Sequence, residues 1–241
     1  FRREKMMPMP NRSNLKRGCV FFNFGTAYAT RLLVAVFSLR KHYSGPITVF
    51  LATDATSREL ATDIERLGAE VVSIDSLSKS FDRHRLFLES PYQSTLALDS
   101  DLIFRAPIDP LWELLEQAGV LLTRFYAPPF GVDGTRERPG FANRMAFLAG
   151  IRRLIDKDLY EKTVRRLLLD RIDINIGVMG ISRPTGDAFL ADLASYLEHG
   201  RPHAIPLLDE MLVVALAGKH QHRLVNEIWN CPADEFFRRT N

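Results

Sequence analysis

Short apolar runs and longer stretches of one-sided hydrophobicity take turns along the first half of the chain. CVFFNF at 19–24 reads as a buried strand. From Tyr28, the apolar residues Leu32, Val36, Leu39 and Tyr43 recur at helical spacing, which predicts a helix over 28–43, broken by Gly45-Pro46. ITVFL at 47–51 is a second strand. Thr56 and Glu59 have capping-box spacing ahead of Leu60, Ile64 and Leu67, and Gly68 ends that helix. Residues 70–74 form a third strand, and a basic amphipathic stretch follows over 78–89. TLAL at 95–98 is a strand that runs directly into Asp99-Ser100-Asp101, and LIF at 102–104 is a second short apolar run. Asp109 is placed as a cap with Pro110 in the first turn of another helix, and 119–123 reads as a strand.

The texture changes at 125–150, which carries Pro128, Pro129, Gly131, Gly134, Pro139, Gly140 and several arginines. A loop of that length inside a compact domain usually has a function, and we expect a lid. Beyond it, the pattern predicts a helix over 159–169, a strand over 174–181, and helices near 187–198 and 208–217. Strand–helix alternation implies a mostly parallel sheet flanked by helices, in which ligands bind beyond the carboxyl ends of the strands. We expect a basic, flexible arm over 1–17 and one domain over 18–241. That domain would comprise a part over about 18–124 and a part over about 125–241.

Composition narrows this only slightly. The chain has 241 residues, 46% of them hydrophobic, enough for one packed α/β domain. A net charge of +3 and a pI near 9.0 suit an anionic ligand such as a nucleotide. No long basic stripe with interleaved aromatics suggests nucleic acid. Cys19 and Cys231 are far apart, lack zinc-site spacing, and are expected to be reduced. No apolar run reaches the roughly 18 residues that a membrane span needs. A cytoplasmic location is expected, with membrane association as the alternative. The chain starts at Phe1, which leaves a removed targeting segment open. Neither GxGxxG nor GxxxxGK[ST] occurs, which argues against a dinucleotide-binding Rossmann domain and a P-loop NTPase.

The candidate chemistry centres on Asp99 and Asp101. Charges set inside an apolar run are costly unless compensated, and a divalent cation is a natural partner. Alternate residues of an extended segment face opposite ways, so the two carboxylates converge only if the chain turns at Ser100. Oxygen ligands suit Mg²⁺ and Mn²⁺, which also bridge phosphate oxygens. Two other readings stand beside this one: an acidic turn between strands, and a haloacid-dehalogenase-like phosphatase with Asp99 as nucleophile. In the latter the motif normally opens the domain, whereas here three strand–helix units precede it.

At these residues the chain resembles a family. TLALDSDLIF is similar to the signature of GT-A fold glycosyltransferases, particularly glycogenin-like family eight. The opening FFNFGTAYATRLLVAVFSLRKHYSGPITVFLATD, the strand INIGVMGIS and the helix LLDEMLVVALAG match further segments in the expected order. The resemblance implies a Rossmann-like GT-A fold and transfer of a sugar from a nucleotide-diphosphate sugar, with a UDP-sugar expected, to a hydroxyl acceptor. The acceptor would be a saccharide, a protein or a small molecule, with the nucleotide bound by the part over about 18–124 and the acceptor and donor sugar by the part over about 125–241. It also implies retention of configuration and a Mn²⁺ or Mg²⁺ ion held by Asp99 and Asp101. Phe24, Thr26 and Tyr28 would contact the nucleotide, with Tyr28 stacked on the base, and Ser100 would join them. Arg83, or else Arg85, would meet a phosphate oxygen or a donor hydroxyl. Asn175 and Gly177 would lie against the donor sugar, and Asp209 and Glu210 would contact its hydroxyls.

The chain departs from that family in two places. The C-terminal HxxGxxKPW segment that supplies a metal-binding histidine is absent; His220 and His222 come too early and read as ordinary histidines. The family's Asp-Gln-Asp reads Asp209-Glu210-Met211. An inverting enzyme with Asp209 or Glu210 as base, and a non-catalytic sugar-nucleotide binder, are the competing functions.

Overall fold

The computed structural model describes residues 15–23, 28–52, 58–74, 83–124, 146, 148–168, 170, 173–200, 207–226 and 229. Its strands are β1 (Leu15–Asn23), β2 (Ile47–Ala52), β3 (Glu70–Ile74), β4 (Tyr92–Leu98), β5 (Val120–Arg124), β6 (Ile174–Ser182) and β7 (Arg223–Val225). Its helices are α1 (Ala29–Arg40), α2 (Arg58–Arg66), α3 (Arg83–Leu88), α4 (Asp109–Ala118), α5 (Lys157–Leu168), α6 (Asp187–Gly200) and α7 (Leu208–Leu216). One sheet runs in the order β3-β2-β1-β4-β6-β5-β7. β1 through β4 pair in parallel, as does β7 with β5, and β6 runs antiparallel between β4 and β5.

Period-two alternation feeds two apolar layers. Cys19 and Phe21 of β1 pack with Leu32, Val36 and Leu39 of α1, Ile64 of α2 and Trp112 of α4. Val20, between them, joins the opposite layer with Phe87 of α3, Leu159 of α5, Leu193 of α6 and Met211 of α7. A central strand covered on both faces must be apolar throughout, which is why β2 is buried at every position.

The elements follow the sequence pattern, with informative differences. β1 starts at Leu15 because residues 15–17 already pair along β4, Leu15 beside Tyr92 and Arg17 beside Ser94. α1 stops at Arg40, and Tyr43 turns into the core, its ring 6.0 Å from that of Trp112. The Arg40 guanidinium donates to the carbonyls of Tyr43, Gly45, Leu67 and Gly68, tying the end of α1 to the turn before β2 and to the end of α2. Residues 102–104 form no strand. Instead the Phe104 amide donates to the Ser38 hydroxyl at 3.0 Å and its ring meets Phe21 edge-on. Asp109 is the first helical residue of α4 and not its cap; Ile108 holds the cap position without a side-chain bond. α5 has a cap that apolar spacing did not reveal: Asp156 Oδ1 accepts from the Leu159 amide at 2.8 Å. The expected Thr56 cap, Cys231 and nearly all of the expected lid lie outside the described residues, although Leu148 at its far end is buried. Cys19 is a buried free thiol.

Gly119 joins α4 to β5 in a left-handed conformation (φ 77°), and its carbonyl accepts from the Ser182 amide. A Cβ there would stand 2.6 Å from the Thr185 side chain and 2.9 Å from its carbonyl carbon. Gly68 has a similar φ of 75°, but its nearest Cβ neighbour would be the Arg40 side chain at 3.6 Å. Gly68→Ala thus loses only the conformational term, about 1 kcal/mol, whereas Gly119→Ala adds a backbone clash and is expected to cost about 3 kcal/mol. Urea unfolding of the two variants measures the difference; equal losses would show that Thr185 yields.

Candidate functional site

The parallel half of the sheet ends its strands on one edge, and a cleft of about 150 Å³ opens there. It is lined by Phe22 and Asn23 from the end of β1, Tyr28 at the start of α1, and Asp99, Ser100 and Asp101 after β4. The Asp99 amide donates to the Gly177 carbonyl at 2.8 Å, the last rung between β4 and β6. The chain then turns at Ser100-Asp101. With that turn both aspartates line the same cleft, Asp99 half-buried and Asp101 exposed. Tyr28 holds the cap position of α1 without a side-chain capping bond and is 40% exposed, with the Arg31 guanidinium 5.6 Å from its ring centre. The cleft therefore offers an acidic turn on one side and an aromatic face on the other.

Beside it, β6 is irregular. Leu122 faces Met179 but Thr123 faces Asn175, so one step along β5 answers four along β6. Two side chains hold the bulge. Asn175 Oδ1 accepts from the Gly177 amide at 2.7 Å, and the Thr123 hydroxyl donates to the Val178 carbonyl at 2.8 Å. This local bond accounts for an asparagine inside an apolar strand without a ligand. It also fixes Gly177, the residue that the acidic turn hangs from.

The remaining candidates are distributed unevenly. Asp209 lies in the first turn of α7, 3% exposed, with Oδ1 accepting from the Glu210 amide at 2.9 Å; Glu210 is half-buried. Arg85 is engaged on its own helix, Nε and Nη2 both reaching Glu89 Oε1 at 2.9 and 2.6 Å. Arg83 opens α3, but its side chain, like Phe24 and Thr26, lies outside the described residues. Asn23 lines the cleft and was not singled out from the sequence; its place in the run CVFFNF was the available signal, a polar residue closing an apolar strand.

Among the described residues no group of three or more His, Cys, Asp or Glu side chains is placed to hold a metal. The two histidines after α7 serve packing. His220 Nε2 bonds Asp192 Oδ2 at 2.7 Å, sharing that oxygen with Lys219 at 2.6 Å, and its ring meets Phe189 edge-on. His222 lies beside Arg166, whose guanidinium also caps the Ala217 carbonyl.

No family model matches the chain, and no curated protein matches it. Solved structures do. The glycosyltransferase GlyE from Streptococcus pneumoniae TIGR4 superposes with a TM-score of 0.57 at 16% identity, over 94% of this chain and 49% of GlyE. A galactosyltransferase, LgtC, solved with donor and acceptor sugar analogues, gives a TM-score of 0.55 at 15% identity, over 92% of this chain and 81% of that one. The bifunctional glycosyltransferase WbbM gives 0.55 at 11%, over 88% and 39%. The chain has the GT-A fold. It spans about half the length of the GlyE chains it matches. Within the GT-A sheet of this chain, the acidic turn follows the fourth strand and not the first. No described helix is long and apolar enough to cross a membrane.

Burial disfavours the charged imidazolium of His222, and Arg166 adds repulsion, so its pKa lies below the ordinary 6.5. A folded-state pKa below the unfolded one means that the unfolded chain takes up the proton first as pH falls. The contribution is therefore complete above pH 6.5 and is lost as pH drops through and below it. Burial alone would raise Asp192, but hydrogen bonds from Lys219 and His220 outweigh it and hold it below 3.8, a separate and more acidic window. Urea midpoints between pH 7 and 5 are expected to fall for the native chain and to fall less for His222→Gln.

Proposed function

We propose that the chain is a glycosyltransferase of the glycogenin-like family eight type, moving a sugar from a nucleotide-diphosphate donor to a hydroxyl acceptor. The observation that carries this reading is the shared cleft of Tyr28, Asp99 and Asp101 at the strand ends of a GT-A fold. An exposed aromatic ring suits a nucleobase, and two carboxylates on a turn suit a hard cation beside a diphosphate. Two aspartates alone do not fill a coordination sphere. A site of this kind fits Mg²⁺ or Mn²⁺, which commonly take one or two carboxylates and complete their shell with phosphate oxygens and water. When bound, such an ion neutralises charge on a leaving diphosphate.

The protein's own part is to bind and orient. Tyr28 stacks on the base, and the Asn23 amide at the floor of the cleft presents hydrogen-bonding groups to the nucleoside. Gly177 sets the height of the acidic turn through its bond to Asp99. Asp209 and Glu210 hold donor-sugar hydroxyls from the first turn of α7. Asp209 is nearly inaccessible to water and has one oxygen committed to the helix end. That argues against Asp209 as a general base and leaves Glu210 as the base of the inverting alternative.

A thermal-shift panel of nucleoside diphosphates with and without Mn²⁺ tests the donor site. We expect a metal-dependent rise in Tm, lost in Asp101→Asn and reduced in Tyr28→Ala. Removing one stacking partner should weaken nucleotide binding by about tenfold. Stabilisation that is equal in chelator or in Asp101→Asn would overturn the metal-binding assignment. Stabilisation without sugar release or transfer from any donor would leave a binding protein in its place.

A further inference from the structure

The outer arc of α1 is apolar where solvent would favour polar residues. Val34 is 44% exposed and Phe37 51%. The bond from the Phe104 amide to Ser38 lays residues 102–104 along this helix. Leu102 and Phe104 pack inward, so Ile103 between them faces out, and it is 64% exposed. Three large apolar side chains on adjoining surfaces, while Leu88 and Leu207 stand elsewhere, form a patch. Its own charged residues are basic. Residues 29–42 and 102–108 include Arg31, Arg40, Lys41 and Arg105 and no Asp or Glu, with Asp101 and Asp109 flanking the second segment. Lys41 Nζ sits 4.5 Å from the Phe37 ring centre, so the cation rides directly over the apolar group. Arg40 is half-buried and bonded to carbonyls; Arg31, Lys41 and Arg105 are exposed.

We propose that this face docks on an anionic phospholipid surface. Apolar side chains inserted at the headgroup boundary, with basic side chains at the phosphates, use both halves of the patch. A neutral apolar partner would leave the cations unanswered, and an acidic soluble partner would leave Phe37 and Ile103 in water. The patch also adjoins the cleft. Tyr28 begins the helix that carries Phe37, and Asp101 comes two residues before Ile103. The inference stands whether or not the cleft transfers sugar.

Co-sedimentation of the whole chain with vesicles tests it, comparing pure phosphatidylcholine with equal parts phosphatidylcholine and phosphatidylglycerol. We expect retention on the anionic vesicles alone, weakening as salt rises. The double variant Phe37→Ser/Ile103→Ser should reduce partitioning by at least about tenfold, and Lys41→Glu by about tenfold. Leu88→Ser, equally exposed but on the opposite layer, should bind as the native chain does. All the sites are exposed, so near-ultraviolet circular dichroism should be unchanged. Failure of the native chain to bind, or native-like binding by the double variant and Lys41→Glu, would overturn the proposal. So would a concentration-dependent dimer that Phe37→Ser dissociates without any lipid binding, because the patch would then join two copies.

Discussion

The Asp99 amide donates to the Gly177 carbonyl, and at that rung a buried strand becomes an acidic turn. β4 lies between β1 and β6 and is covered by both apolar layers, so it cannot carry a charge until its ladder ends. The rung sets where that happens. One residue earlier, a carboxylate would be sealed in the core; a few residues later, it would belong to the loop that wraps α1. The position of the acidic pair is thus a consequence of how far two strands stay paired.

The bulge in β6 serves the same constraint. A regular antiparallel strand would carry Gly177 in step with β5. The extra residues, held by Asn175 and Thr123, let β6 satisfy β5 on one side and the end of β4 on the other. Asn175 thereby has a structural reason to be asparagine. Any contact it makes with a sugar would come from the nitrogen end of the same amide.

Much of this was legible in the sequence, because the signals were periodic. The apolar runs of β1 and β6 and the helical spacing in α1 each state which surface is buried, and burial dominates their energetics. TLAL followed by Asp-Ser-Asp located the cleft because charge after a buried strand has few places to go. What stayed hidden depends on pairing or on single bonds. The start of β1 at Leu15 follows from the length of β4. The inward turn of Tyr43 follows from Trp112, far away in sequence. The pairing of Arg85 with Glu89 one turn away depends on where that helix ends, and the antiparallel direction of β6 leaves no trace in local composition.

Arg40 gives the chain an uneven map of sequence separation. Its guanidinium gathers carbonyls from residues no more than 28 positions away and closes β1, α1, β2 and α2 into a unit of short loops. β4 and β6 meet across a much longer span; Ser94 and Ser182 bond at a separation of 88 residues. Short loops close at low entropic cost and long ones at higher cost. The floor of the cleft belongs to the first kind of contact and its acidic turn to the second. A ligand that touches both Asn23 and Asp99 therefore reads the completeness of the fold.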